Sequence, residues 1–284
     1  MSMKKRTETW PRVAVVGGGQ MARALVGGWL ARGAPPENIA IADPAESQRD
    51  WLARRFQRIA LHTENATAAS QADVWVMAVK PQQLSDVASA LAPLASQRRP
   101  LVISIAAGIG AADLSRWFGG NATVIRAMPN RPALIGAGVT GLYAGTEVSQ
   151  KDRDTAERLL EAVGTAVWVG SEADIDLVTA VSGSGPAYFF LLIELLEAAA
   201  VAQGLSPDVA RKLAVGTAAG AAALAKASGE EPAVLREQVT SKGGTTAAAL
   251  DVFQSAGLQA IVAKAVAAAA ERSREIAAEF GSAR

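Results

Sequence analysis

Over the first 170 residues, short apolar runs alternate with stretches in which apolar residues recur every three or four positions. The short runs have the length of buried strands, and the longer stretches have the spacing of amphipathic helices. This alternation predicts a parallel sheet covered by helices. The predicted strands are VAVV (13–16), IAIA (39–42), VWVMAV (74–79), LVISI (101–105) and TVIRAM (123–128), with further sheet runs at 139–143 and 166–169 and a helix over 149–162.

After about residue 171 the strand signals nearly vanish, and alanine- and leucine-rich helical stretches replace them. Alanine is the best helix former, and its small side chain lets helices approach closely. These helices carry more apolar surface than one small domain can bury, which favours a helical dimer. The sequence therefore predicts an α/β fold with a sheet domain over 10–170 and a helical domain over 171–284. The predicted helices of the second domain are 185–203, 207–226, 245–256 and 258–279.

Composition excludes several classes of function. The formal net charge is +1 with acids and bases interleaved, so neither nucleic acid nor a membrane surface is an expected partner. The chain has no cysteine and only one histidine, His62, which excludes thiolate chemistry and multi-histidine sites, and we expect no metal. We interpret His62 as a surface or helix-edge residue.

Targeting signals are also missing from the pattern. The polar N-terminus has no apolar core of the signal-peptide kind. The most apolar stretch, 187–203, is interrupted by Glu194 and Glu197 and falls short of an uncharged membrane span. We therefore expect a soluble, cytoplasmic protein.

The first glycine-rich stretch, VVGGGQMA, follows a predicted strand and opens a predicted helix. Gly17, Gly19 and Ala22 have the G-x-G-x-x-G/A spacing of dinucleotide-binding turns. Gly17 permits the tight turn, Gly19 lets the backbone approach a pyrophosphate, and Ala22 allows close helix packing. The helix N-terminus would present N–H groups to the anion. The alternative is a glycine-rich turn that only packs.

An acidic residue, Asp43, ends the second predicted strand, about where a dinucleotide ribose would lie. Its carboxylate suits the 2′-hydroxyl of NAD and would repel a 2′-phosphate. Ser47 and Arg49 follow closely and could bind that phosphate if Asp43 turned away. The residues thus leave the choice between NADH and NADPH open.

A second glycine-rich stretch, VTSKGGTTAAALDVF (239–253), lies between two predicted helices with no strand before it. Backbone N–H groups at the start of the second helix, with neighbouring hydroxyls, suit a small anion such as a carboxylate. The alternative is a plain helix junction with a hydroxyl at the N-cap. The residues concerned are Ser241, Gly243, Gly244, Thr245 and Thr246.

The arrangement P-x-x-L-x-x-x-V-T-S-x-G-G-x-T-x-x-A-L-x-x-F at 232–253 resembles the signature of pyrroline-5-carboxylate reductases. The resemblance extends over about residues 13–275. Further matching segments are VVGGGQMA (15–22), AVKPQ (78–82), SIAAGI (104–109), RAMPNRPALIGAGVTGLYA (126–144) and AVSGSGPAYFF (180–190).

This resemblance implies reduction of 1-pyrroline-5-carboxylate to L-proline, the last step of proline biosynthesis, with NADPH or NADH. It implies an N-terminal Rossmann domain and a C-terminal helical domain that binds substrate and interlocks with a partner's in a dimer. Thr246 matches the threonine whose hydroxyl lies near the ring nitrogen, and we assign it the catalytic role. The matching carboxylate cradle is Ser241, Gly243, Gly244 and Thr245.

The family's dinucleotide site is carried over onto this chain in the same way. Lys80 could bond a ribose or phosphate, or be a solvated lysine before a proline turn. Asn130 could donate to the nicotinamide carboxamide, or occupy a plain turn. The expected cofactor-binding residues are Val16, Gly17, Gly18, Gly19, Gln20, Met21, Asp43, Asn65, Ala78, Val79, Lys80, Pro81, Ile105, Ala106, Ala107 and Asn130.

One departure and several alternatives remain. Lys242 stands where many members have proline, and either attracts the substrate carboxylate or points to solvent. Glu194 and Glu197 suit a helix polar face or a dimer contact better than acid–base work. A β-hydroxyacid dehydrogenase would need a catalytic lysine, for which Lys212 and Lys226 lack the expected setting. A non-catalytic dinucleotide-binding scaffold is the third hypothesis.

Overall fold

The computed structural model describes residues 10–281, and eight strands of this range form one sheet. The polar N-terminal segment considered above lies largely outside the described residues. The strands are β1 (Val13–Val16), β2 (Ile39–Ala42), β3 (Ala60–His62), β4 (Val74–Met77), β5 (Leu101–Ser104), β6 (Thr123–Met128), β7 (Gly138–Ala144) and β8 (Gly164–Trp168).

Helices separate the strands and then make up most of the remaining described chain. Two 3₁₀ turns, Pro36–Asn38 and Arg131–Ile135, and one π-helical turn, Thr179–Gly183, complete the elements. The helices are α1 (Gln20–Ala31), α2 (Glu46–Arg55), α3 (Asn65–Ala69), α4 (Pro81–Arg98), α5 (Ala111–Trp117), α6 (Gln150–Glu161), α7 (Asp174–Val178), α8 (Gly185–Ala202), α9 (Pro207–Ser228), α10 (Pro232–Gln238), α11 (Thr245–Ser255) and α12 (Leu258–Gly281).

The strand order is β3-β2-β1-β4-β5-β6-β7-β8, with β1 between β2 and β4. All neighbouring strands are parallel except β6 and β7, which are antiparallel. The segment between β6 and β7 is too short for the helical crossover that parallel pairing needs. The predicted α/β fold is confirmed, but β7 and β8 run opposite to the first six strands.

Strands β1, β4 and β5 are buried on both faces, which explains their continuous apolar runs. Along β1, Val13 and Val15 belong to one core cluster, whereas Ala14 and Val16 belong to the other. The buried indole N–H of Trp29 donates to the Leu159 carbonyl at 2.7 Å. The central strands are therefore packed between two apolar layers.

The described residues divide into two compact units. The sheet unit comprises 10–183 together with 269–281, and the helical unit comprises 184–268. The functional division between 170 and 171 stays a prediction. Within the helical unit α8 packs against α9, where small residues such as Ala210 and Ala214 are buried.

Much of the helical unit's apolar surface is exposed. By length and composition, the stretch Asp174–Ala202 is long and apolar enough to cross a membrane, with a mean hydropathy of 1.6 and 6% of it buried. Composition therefore does not exclude a span here, contrary to the expectation drawn from Glu194 and Glu197. A core helix of a soluble protein meets the same criterion. Exposed side chains include Phe189, Phe190, Leu195, Leu213, Val252 and Ile261.

Two adjacent glycines of α1 provide a matched test of the sheet unit's packing. A Cβ at Gly28 would lie 2.5 Å from Val163 Cγ1 and 2.7 Å from the Ala162 carbonyl oxygen, whereas one at Gly27 would meet Phe56 at an ordinary 3.6 Å. Gly28→Ala should cost about 1–3 kcal/mol through overpacking. Gly27→Ala should gain up to about 1 kcal/mol in helix propensity. Thermal unfolding should give a lower Tm for Gly28→Ala alone, and equal Tm values would contradict the described packing.

Candidate active site

The loops that follow β1, β2, β4 and β5 meet at one edge of the sheet. The Gly17 N–H donates to the Ala42 carbonyl at 2.8 Å, and the Ala78 N–H donates to the Val16 carbonyl at 2.8 Å. The Ile105 N–H donates to the Met77 carbonyl at 3.2 Å. Since the strand order reverses between β1 and β4, this edge contains the crevice where open α/β sheets bind ligands.

The turn from β1 into α1 matches the glycine spacing found in the sequence. Gly17 has a φ of +101°, and a Cβ there would lie 2.7 Å from the Ala78 carbonyl oxygen. Gly19 is the N-cap of α1, with no side-chain capping bond and no acidic residue in the first turn. A Cβ at Gly19 would meet nothing within 4 Å, so the space beside it is open. These features fit a dinucleotide pyrophosphate.

The Asp43 carboxylate is bonded to the glycine loop. Its Oδ2 accepts the Gly18 N–H at 2.7 Å, and its Oδ1 accepts the Ala45 N–H at 2.9 Å. The Asp43 side chain therefore faces the glycine loop. Ser47 and Arg49 were expected to bind a 2′-phosphate only if Asp43 turned away from this position.

The remaining cofactor candidates follow the carboxyl ends of the same strands. Asn65 is the first residue of α3, shortly after β3, and Lys80 is the exposed N-cap of α4, shortly after β4. His62 is the half-buried last residue of the edge strand β3, so of its two expected places, the surface or a helix edge, the helix edge is wrong. Within the described sheet unit, all sixteen candidate positions lie at the end of β1 or in segments that follow strands β1 to β6.

Asn130 is only 7% exposed, and both ends of its amide are bonded to the protein. Its Nδ2 donates to the Ser182 carbonyl at 3.0 Å, and its Oδ1 accepts the Val139 N–H at 2.9 Å. Asn130 thus joins β7 to the π-helical turn. Its predicted contact with the cofactor would have to use the second amide hydrogen.

The sequence interpretation missed an ion pair beside the loop that follows β5. Arg126, 8% exposed on β6, donates to Glu172 Oε1 at 2.9 Å, and the Ala111 N–H donates to the same oxygen at 2.6 Å. This pairing fixes the far end of the loop that contains Ile105, Ala106 and Ala107. An arginine inside the apolar run TVIRAM was the available signal, because a buried charge needs a partner.

In the helical unit, the second glycine-rich stretch forms a turn at the start of α11. The Gly244 N–H donates to the Ser241 carbonyl at 3.0 Å, and Gly243 adopts a φ of +70°. The N-cap is Gly244, with no side-chain capping bond. A Cβ at Gly244 would overlap the Ser241 Oγ, which lies beside the helix start. The hydroxyl-capped junction considered above is therefore not formed.

This uncapped start leaves the first N–H groups of α11 available to an anion. Thr246 is half-buried and Thr245 is exposed, as is Lys242 within the described chain. A glycine turn, an uncapped helix and adjacent hydroxyls are the features that a carboxylate site needs.

One carboxylate of α8, Glu197, pairs with a cation of the neighbouring helix. Glu197 accepts from Arg211 of α9 at 3.1–3.3 Å through three contacts. The hydrogen bond and the charge of Glu197 raise the pKa of Arg211 above its ordinary value. Glu197 is thus an ion-pair partner between two helices.

Two family profiles match ranges that contain the two glycine-rich stretches. The profile described as "Pyrroline-5-carboxylate reductase dimerisation" matches residues 172–276, and "NADP oxidoreductase coenzyme F420-dependent" matches residues 12–108. A pyrroline-5-carboxylate reductase of Pseudomonas aeruginosa is 48% identical over 95% of this chain and 98% of the relative.

Two solved structures have the same fold. A pyrroline-5-carboxylate reductase from Coxiella burnetii has a TM-score of 0.91 at 37% identity, covering 94% of this chain and 99% of that one. The Plasmodium falciparum pyrroline carboxylate reductase with NADP bound has a TM-score of 0.82 at 28% identity, covering 95% of this chain and 100% of that one. From the sequence identity, the chain belongs to the pyrroline-5-carboxylate reductase family.

Proposed function

We propose that this protein reduces 1-pyrroline-5-carboxylate to L-proline with NADPH or NADH, as the last step of proline biosynthesis. The carrying observation is the uncapped, glycine-led start of α11, which offers a carboxylate site in a chain that also has a dinucleotide-type turn. The names of the Pseudomonas and Coxiella relatives support this substrate, and the Plasmodium structure with NADP supports the cofactor.

The glycine turn after β1 would bind the pyrophosphate through the N–H groups of the first turn of α1. The open space beside Gly19 gives the anion access to the backbone. Asp43 and Asn65 would lie toward the adenosine end, and the segment Ile105–Ala107 toward the nicotinamide. The bound dinucleotide supplies the hydride, and the protein's task is to orient it.

The turn before α11 would bind the substrate carboxylate. The N–H groups of Gly243 and Thr245 and the hydroxyl of Ser241 form the proposed cradle, and the positive end of the α11 dipole favours the anion. Gly244 lines the cradle and shapes its turn, because its own N–H donates to the Ser241 carbonyl. Lys242 is exposed, so we assign it to solvent rather than to the carboxylate.

Thr246 is one residue further along α11, and we assign its hydroxyl to the ring nitrogen. A cyclic iminium is already a good hydride acceptor, so most of the catalysis comes from orientation. A threonine has no useful acidity near neutral pH, so the nitrogen's proton arrives with the substrate or from water. Thr246 then polarises the imine and holds the ring in register.

We propose a homodimer as the basic assembly, and the exposed apolar surface of the helical unit supports it. The cytoplasm is the proposed location, as expected for a biosynthetic enzyme. Phe189 and Val252 are 63% and 67% exposed, and large apolar side chains left in water favour association with another protein surface. The dimerisation profile covers this region. A second copy would bury the apolar stretch that otherwise meets the composition of a membrane span.

Purified protein should consume NADPH or NADH when pyrroline-5-carboxylate is added, and L-proline should accumulate. Loss of absorbance at 340 nm, with chromatographic detection of proline, measures both halves of the reaction. A folded sample that binds dinucleotide but shows no turnover with either cofactor would contradict the proposed function and favour a binding scaffold.

Light scattering at micromolar concentration should report at least twice the chain mass. The physical reason is the apolar surface that the single chain leaves in water. A stable, active monomer would argue against the proposed assembly.

Thr246→Ala should lower kcat about two- to 150-fold and leave dinucleotide affinity nearly unchanged, because one hydrogen bond is worth roughly 0.5–3 kcal/mol. Thr245→Ala is the matched control, since its proposed contact comes from a backbone N–H that alanine retains. Steady-state kinetics and calorimetry measure the two effects. A larger loss of kcat/KM in Thr245→Ala would mean that Thr246 is not beside the imine.

A further inference from the structure

We propose that Asp43 makes this protein prefer NADH to NADPH. The inference rests on the proposed function, because it assumes that the turn after β1 binds a nicotinamide dinucleotide. It concerns one side chain at the end of β2 and the charges around it.

The position of Asp43 follows from strand pairing. Val16 and Ala42 are register partners on adjacent parallel strands, so Asp43 follows β2 directly beside the glycine turn. In dinucleotide-binding folds this place accepts the adenosine ribose hydroxyls. The NADH and NADPH molecules differ only here, where NADPH carries a 2′-phosphate.

Two backbone donors fix the carboxylate in this place. The Gly18 N–H donates to Oδ2 at 2.7 Å and the Ala45 N–H donates to Oδ1 at 2.9 Å. A carboxylate accepts about four hydrogen bonds, so each oxygen can still accept from a ribose hydroxyl. Turning the side chain aside for a phosphate would leave both of these N–H groups without their present acceptor.

The neighbouring cations are already engaged with the loop. Arg49 Nη1 donates to the carbonyls of Asp43 and Pro44 at 2.7 and 2.8 Å. Arg23 donates to the Gly18 carbonyl at 3.3 Å and to Gln48, with its guanidinium 3.9 Å from the Trp51 ring centroid. These arginines fix the backbone and side chains around the ribose position.

The local charge also favours NADH. Glu46, in the first turn of α2, adds a second carboxylate three residues beyond Asp43. A 2′-phosphate, with a charge near −2 at neutral pH, would lie beside the Asp43 carboxylate, and like charges disfavour such a position. A ribose hydroxyl donates to the same carboxylate instead. This repulsive element is what separates the two cofactors.

Calorimetry of the purified full-length protein with NADH and with NADPH, without substrate, tests the proposal independently of turnover. Wild type should bind NADH at least about tenfold more tightly. In Asp43→Asn the two affinities should come within about threefold, because the charge is removed while the shape is kept. Glu46→Gln removes the second, exposed carboxylate and should lower the NADH preference by no more than about twofold, because solvent and salt screen an exposed charge.

Several outcomes would overturn the proposal. The first is a wild-type protein that binds NADPH as tightly as NADH, and the second is an equal loss of both affinities in Asp43→Asn. The third is a selective loss of NADPH affinity in Arg49→Ala, which would assign the Arg49 guanidinium to the 2′-phosphate. The wild-type ratio decides the matter even if a variant fails to fold. If the protein shows the expected ratio of NADH to NADPH affinity but does not turn over pyrroline-5-carboxylate, the proposed function is wrong and the cofactor preference stands. If it binds neither dinucleotide, both proposals are overturned.

Discussion

The close contact between Gly17 and the Ala78 carbonyl determines the geometry of the sheet edge. A Cβ at Gly17 would lie 2.7 Å from that oxygen, and the φ of +101° is one that side chains other than glycine rarely adopt. Because the chain turns so sharply here, α1 begins directly above the ends of β1 and β4. Its first N–H groups then face the crevice where the strand order reverses.

The same physical device occurs again at α11. Both helices have a glycine at the N-cap and no side-chain capping bond, so the orphan N–H groups of each first turn are available to an anion. Relative to a serine or aspartate cap, a glycine at the N-cap gives up only about a few tenths of a kcal/mol at each place. That local cost makes sense if a pyrophosphate and a carboxylate supply the missing acceptors when they bind.

Local signals in the sequence predicted most of the elements. The apolar run before Gly17 and the glycine spacing after it were sufficient to predict the turn from β1 into α1. Both signals come from residues that are neighbours in sequence. The strand β3 was missed because ALH is short and lies at the sheet edge. The antiparallel β7 was not anticipated, because pairing direction depends on the connection rather than on apolar periodicity.

The missed features of the site are contacts between distant residues. Glu172 reaches Arg126 and Ala111 across 46 and 61 positions, and Asn130 joins Val139 to Ser182. The motif R-x-M-P-N identified Arg126 and Asn130 as family residues, but not their partners. Likewise Asp43 was expected at the ribose, whereas its bonds to Gly18 and Ala45 became visible only in the fold. Through these contacts the cofactor candidates Asn130 and Asp43 also stabilise the conformations of the loops around them.

The central claim is that two uncapped helix starts bind two different anions, and a crystal structure with NADH and L-proline bound tests it most directly. The pyrophosphate should lie beside Gly19, the proline carboxylate on the free N–H groups at the start of α11, and the ring nitrogen about 3 Å from Thr246 Oγ1. A carboxylate bound away from the start of α11, with Thr246 out of reach of the ring, would contradict it.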